Sequence, residues 1–336
     1  MAEPTVGGES TTRTQKRATV FRELPPGAQA RSCSELLAEL KTPANLSARS
    51  LHFSDVDGKD VYNITAPFHL DGKTMIIGRV EPRDTEFSRI VIFEKTKQDH
   101  YVPIYSHPDF EGLQDPCITW SDGELILGGV RYPVSLGDGR VGCRMDFYRG
   151  RSVEGLRHFM SGPLRMKDIR FKQLPDGRVA IFSRPQGVKG GLGEIGFTLA
   201  ASWDEITPEM IYEAPLFPGQ MRPDEWGGVN EVHLLKNGKL GILGHIACFD
   251  SARNRHYYPM AFSLDLASMQ PTPIRIIAQR SFFPSGEAKR PDLVDVVFSG
   301  GLIRNDNGTA HLFAGTSDTS AAMVELPDPF LEFETA

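Results

Sequence analysis

The chain has 336 residues, 40% of them hydrophobic and 24% charged, with a formal net charge of −6. This is the composition of a globular protein with enough chain for a large core, and the acidic balance argues against a nucleic-acid footprint. No run approaches the ~20 apolar residues of a membrane helix, and the four cysteines form neither a disulfide framework nor a paired metal spacing.

Residues 1 to about 18 are rich in Gly, Ser and Thr, a composition expected to be disordered. They lack the apolar core of a secretory signal, so a cytoplasmic protein is expected. Ser32 to Leu40 predicts a short helix capped by Ser32 or Ser34, with Leu36, Leu37 and Leu40 on its apolar side. Residues 1–45 read as an N-terminal extension. From Leu51 onward strand patterns dominate, with no helical periodicity.

Five hairpin units follow. The first runs from Val61 to Phe68, turns at Asp71-Gly72 and returns through Thr74 to Val80. The second is Leu113 to Trp120, Asp122-Gly123 and Glu124 to Arg131; the third is Met166 to Phe171, Asp176-Gly177 and Arg178 to Arg184. The fourth is Gly228 to Leu235, Asn237-Gly238 and Leu240 to His245; the fifth is Asp295 to Ile303, Asn307-Gly308 and Ala310 to Gly315. Asp-Gly and Asn-Gly between apolar runs mark hairpin turns. Outer strands are expected at Ile90–Glu94, Tyr101–Ile104, Gly142–Arg149, Ile195–Ala200, Tyr258–Asp265 and Ala321–Leu326, and chain near Leu46 to Phe53 is expected to complete the last sheet. A small sheet repeated at a spacing of roughly 50 residues cannot bury its own face, whereas radial stacking can. The fold expected is all-β: a single five-bladed β-propeller over residues 46–330, of mostly four-stranded antiparallel blades.

In such a fold the innermost strands line a central channel, so equivalent turn residues converge. Asn63, Asp115, Asp168, Glu231 and Asp295 hold the repeated position. Pro116 fixes the turn at Asp115. Burial would raise the pKa of Asp115 and suit it as a general acid, whereas an Asp that only accepts turn amides would stay ionised. Two carboxylates across a sugar support hydrolysis, and Glu231 and Asp295 are the candidates for a base. Arg79, Arg131, Arg149, Lys167, Arg184 and His245 flank the same turns and are candidates to hold phosphate or another anion; local ion pairing is the competing reading. Tyr62, Tyr132, Trp226, Tyr257 and Tyr258 offer rings to a sugar face, while Trp120 reads as core. No metal-binding or phosphate-loop motif is present.

Four segments, in this order and spacing, carry a resemblance: Asp115-Pro116, Lys167-Asp168-Ile169-Arg170-Phe171 with Ser183-Arg184-Pro185, Val296 to Leu302, and Phe313 to Thr319. Over residues 60 to 326 the chain resembles glycoside hydrolase family 130, the β-mannoside phosphorylases and mannosidases. The resemblance implies that Asp115 is the acid, acting through a sugar hydroxyl, that Lys167 helps to bind phosphate and that Asp168 contacts the sugar. Gln114 and Cys117 stand where the family carries an acidic and a basic residue. The function expected is cleavage of a glycosidic bond in a small oligosaccharide, by inverting hydrolysis or by phosphorolysis with inorganic phosphate as co-substrate and no other cofactor. The alternative is a propeller that binds glycan or protein without chemistry.

Overall fold

The structure, a computed structural model, describes residues 30–105, 110–137 and 139–335. The disorder expected for residues 1–18 lies outside the described residues. The predicted helix forms over Cys33–Ala38, and its start follows from local chemistry: Ser32 accepts the amide of Glu35 while the Glu35 carboxylate accepts the amide of Ser32. Leu36 is buried, and Leu37 and Leu40 pack beside it.

The rest of the chain is mostly β and antiparallel, in five strand groups that match the five predicted hairpins. The first contains Asp60–Tyr62, Phe68–Leu70, Lys73–Glu81, Arg89–Lys97 and His100–Pro103. The second contains Leu113–Ser121, Glu124–Ser135, Val141–Gly150 and Arg157–Ser161. The third is Arg170–Gln173, Val179–Ser183 and Gly196–Ala200, three strands rather than four. Where a fourth would run, only an isolated bridge from Gly196 to Leu216 forms. Pro208, Pro215, Pro218 and Pro223 deprive that stretch of ladder donors.

The fourth group is built on Trp226–Leu234, Leu240–Phe249 and Arg255–Asp265, and the fifth on Asp295–Arg304, Thr309–Thr316 and Ser320–Pro327. The fifth is completed by Ser47–Ser50, antiparallel to Ser320–Pro327, as the sequence suggested. His52–Phe53 then pairs in parallel with His100–Tyr101 of the first group, so one N-terminal segment ties the last group to the first. Two short helices, Pro208–Glu213 and Leu331–Thr335, were not foreseen. Helices this short span too few turns to print a 3.6-residue period in the sequence.

The groups touch in cyclic order: first on second, on through the fifth, and fifth on first. The core is correspondingly divided into five clusters, one at each junction. Ile77, Ile92, Leu113 and Leu127 join the first group to the second. Ile64, Phe93, Phe313 and Met323 join the fifth to the first. At that last junction the innermost strands come so close that a Cβ on Gly300 would lie 1.5 Å from the carbonyl oxygen of Ile64. Gly300→Ala is therefore expected to cost about 1–3 kcal/mol by overpacking, read as a lowered midpoint in urea; an unchanged midpoint would mean that this junction yields freely.

Candidate active site

Two cavities lie against the first strands of the groups. The larger, about 360 Å³, is lined by Asn63, Asp115, Asp168 and their neighbours. The smaller, about 150 Å³, lies further along the same strands, past Cys117 and Ile169.

Backbone conformation explains how the first three groups aim their polar residues. Asn63, Asp115 and Asp168 have φ of +44°, +48° and +54°. Asn and Asp tolerate this left-handed region better than other non-glycine residues, which is why these residue types recur at the start of each strand. Glu231 and Asp295 do not share this conformation. In the fourth group the position beside Asp168 belongs to Gly228, where a Cβ would lie 3.0 Å from the Asp168 carboxylate.

Asp115 accepts hydrogen bonds on Oδ1 from Asn63 Nδ2 at 2.7 Å and from an Arg79 guanidinium nitrogen at 3.1 Å. Burial works to raise its pKa, but Arg79, Lys167 and the Asn63 bond outweigh it and hold the carboxyl below its ordinary value. These partners hold Asp115 as an anion. Asp168 is more tightly held: Arg184 donates to it at 2.7 Å. Burial is again opposed, by Arg184 first, and the pKa falls to about 2.

His245 is 1% exposed, and its Nδ1–H donates to Asn230 Oδ1 at 2.8 Å. Nε2 is then a hydrogen-bond acceptor, 3.9 Å from Asp168. Burial lowers its pKa to about 4 against the pull of Asp168, so the ring is neutral at pH 7. Tyr257 stacks on it at 5.5 Å between ring centroids and takes a hydrogen bond from Trp226.

Lys167 also lines the cavity, and it makes no hydrogen bond or ion pair with any described residue. Arg79, by contrast, is committed to Glu81 and Asp115. At the wall, Arg290 pairs with Glu86 at 3.1 Å, and Arg255 pairs with Asp292.

Of the residues picked from sequence, Asn63, Arg79, Asp115, Lys167, Asp168, Arg184, His245 and Tyr257 converge on the larger cavity. The others do not line it. Glu231 faces the smaller cavity, where it accepts the Leu302 amide at 2.7 Å and pairs with His233 at 2.9 Å. Asp295 turns to His256 Nδ1 at 2.7 Å and the Tyr258 hydroxyl at 2.8 Å. For Arg131 and Arg149 local pairing prevails, with Asp146 and Tyr148 for the first and Glu124 for the second. Tyr132 is exposed on the Glu124–Ser135 strand, and Trp226 is buried behind Tyr257. Trp120, read as core, is 38% exposed at the edge of the smaller cavity.

Asp318 was missed as a site residue. It lines the larger cavity from the turn between Thr309–Thr316 and Ser320–Pro327. No hydrogen bond or ion pair from a described residue reaches its carboxylate. Glu86, Arg255 and Arg290 also went unassigned to the site; they come from connections and an outer strand, where no repeat marks them.

The geometry defines a class before any relative is considered: a mostly β protein of strand groups in cyclic contact, with a polar, cation-lined cavity. The family described as "Protein of unknown function (DUF1861)" matches residues 39–332, and the chain belongs to that family. Solved relatives extend over nearly the whole chain. MPT-4, a mannose phosphorylase from Leishmania mexicana solved with a phosphate ion, is 35% identical, covering 88% of this chain and 92% of its own at a TM-score of 0.80. MPT-1, a GDP-Man-dependent mannosyltransferase from the same organism, is 31% identical over 89% of this chain and 95% of its own, also at 0.80. A β-1,2-mannobiose phosphorylase from Listeria innocua shares the fold at 15% identity, 88% and 94% coverage and a TM-score of 0.57. No curated protein matches the chain. No described helix is long and apolar enough to cross a membrane.

Proposed function

We propose that this chain is a mannoside phosphorylase, built as a single five-bladed β-propeller over residues 46–330. The cyclic contacts and the five junction clusters support the propeller reading. The observation that carries the function is the uncommitted Lys167 ammonium in a cavity that also holds the carboxylates of Glu86, Asp115, Asp168 and Asp318. Phosphorolysis needs a cation for the attacking phosphate and no water-activating base. The two residues proposed from sequence as that base, Glu231 and Asp295, do not line this cavity, and the preference for phosphorolysis rests on Lys167 and on the 35% identity to a mannose phosphorylase.

In this reading inorganic phosphate is a co-substrate held by Lys167, and attacks the anomeric carbon of a small oligosaccharide as its glycosidic bond breaks. Asp115 and His245 Nε2 accept sugar hydroxyls, and Tyr257 offers a ring face. The 35% identity to a mannose phosphorylase supports mannose as the sugar. Four free cysteines fit a reducing, cytoplasmic setting.

Purified protein with short β-mannosides is expected to release mannose 1-phosphate only when phosphate is present. Free mannose without phosphate would replace this reading by hydrolysis. Transfer from GDP-mannose alone would favour the second reading, which rests on the 31% identity to the GDP-Man-dependent mannosyltransferase.

A further inference from the structure

The smaller cavity has no part in the reaction proposed for the larger one, yet all five strand groups line it: Phe68, Trp120, Lys172, Glu231 and Ile303 come from one group each. Its polar groups divide into spent and unspent. Arg170 is buried and spends its guanidinium on the carbonyl oxygens of Asn230 at 2.8 Å and Ile169 at 3.0 Å. Glu231 uses Oε2 alone, for the Leu302 amide and His233, and its Oε1 makes no hydrogen bond with a described residue. Lys172 is half-buried, and its ammonium makes no hydrogen bond or ion pair with a described residue. Burial lowers its pKa against the pull of Glu231, so this cation has given up water without gaining a partner. Beside it Trp120, 38% exposed, meets the Phe68 ring edge to face at 6.4 Å between centroids.

We propose that the smaller cavity is a second binding site, separate from the reaction site, for a neutral monosaccharide. The lining sets the class of ligand. Sugar hydroxyls both donate and accept, so they answer an ammonium and a free carboxylate oxygen together, and an indole takes the C–H side of a pyranose ring. An ion gains little here, because Arg170 is answered by Asp168 at 3.9 Å and Lys172 stands against Glu231. Size limits the ligand too: about 150 Å³ is well below the roughly 300–1,000 Å³ of pockets for drug-sized ligands, which suits one ring rather than a chain. The proposal goes beyond the phosphorylase reading and does not depend on it.

Indole NMR separates the two cavities within one protein, because the chain has three tryptophans. Trp120 reports the smaller cavity, whereas Trp226, bonded to the Tyr257 hydroxyl at 2.9 Å, reports the larger. Trp120→Phe and Trp226→Phe assign the signals. Titration with D-mannose, D-glucose and D-galactose in turn is expected to move the Trp120 signal to saturation with at least one sugar, out of step with any movement of Trp226. In Lys172→Met the midpoint for Trp120 is expected to rise about 10-fold or more, with the Trp226 response and the thermal midpoint unchanged. A Trp120 signal that none of the sugars moves overturns the proposal, and this wild-type result stands whether or not the variant folds. Movement in step with Trp226 that survives Lys172→Met overturns it as well, since Trp120 would then echo the larger cavity. Movement with inorganic phosphate and with no sugar overturns the ligand class. No turnover is read, so a protein inactive in phosphorolysis leaves the test intact.

Discussion

Replacing Glu81 by glutamine is expected to destabilise the protein by about 3–5 kcal/mol. Glu81 is 1% exposed and accepts the Tyr62 hydroxyl at 2.7 Å, Arg79 Nε at 3.0 Å and the ammonium of Lys289. Arg79 and Lys289 are both buried, so one carboxylate answers two cations that have lost their water. Glutamine preserves volume but removes the charge and turns an amide donor toward donors. Equilibrium urea denaturation measures the loss. A cost under about 1 kcal/mol would show that Asp115 and Glu86 already suffice for both cations. Arg83→Leu is the contrast: its pair with Asp60 is 45% exposed on the arginine side, where breaking an ion pair costs about 0–1 kcal/mol.

Lys167→Met should leave the fold intact and damage phosphorolysis. The side chain makes no ion pair with a described residue, and methionine retains most of its aliphatic stem. In the proposed reaction its ammonium meets the phosphate that becomes bonded to the anomeric carbon. Losing such a positioned donor costs about 10²–10³-fold in rate, and the KM for phosphate should rise while that for the mannoside moves little. Initial rates over a grid of both substrates separate these effects. An unchanged phosphate KM would shift the anion site toward Arg290 and Arg255 at the cavity wall.

Hairpin turns made the fold legible. Asp71-Gly72, Asp122-Gly123, Asp176-Gly177, Asn237-Gly238 and Asn307-Gly308 fix the phase of every innermost pair, and ring closure through Ser47–Ser50 followed from the need to cover an edge. The site was legible where local backbone and residue type coincide, as at the left-handed Asn63, Asp115 and Asp168. It failed at Glu231 and Asp295 because an acid near a strand start does not reveal register. The ladder shifts by one residue between Val229 and Glu231, and such a slip moves a side chain to another face. Asp318 was hidden for a different reason: it sits in the outer turn of its group, and its lack of a partner is a property of distant residues. The Asp318 motif was noticed only as part of a resemblance.

The strand Ser47–Ser50 leaves the ribosome among the first parts of the described chain, yet its partner Ser320–Pro327 is among the last. Throughout synthesis the growing protein therefore carries an unpaired strand at one end and an open sheet edge at the other. The cavity wall formed by Asn63 and Arg79 on one side and Asp318 on the other cannot assemble until translation is nearly finished. Nascent chains stalled before Ser320 should thus depend on chaperones and be inactive, whereas a protein whose old termini are fused and whose chain is reopened at an exposed hairpin would build the same ring in a different order.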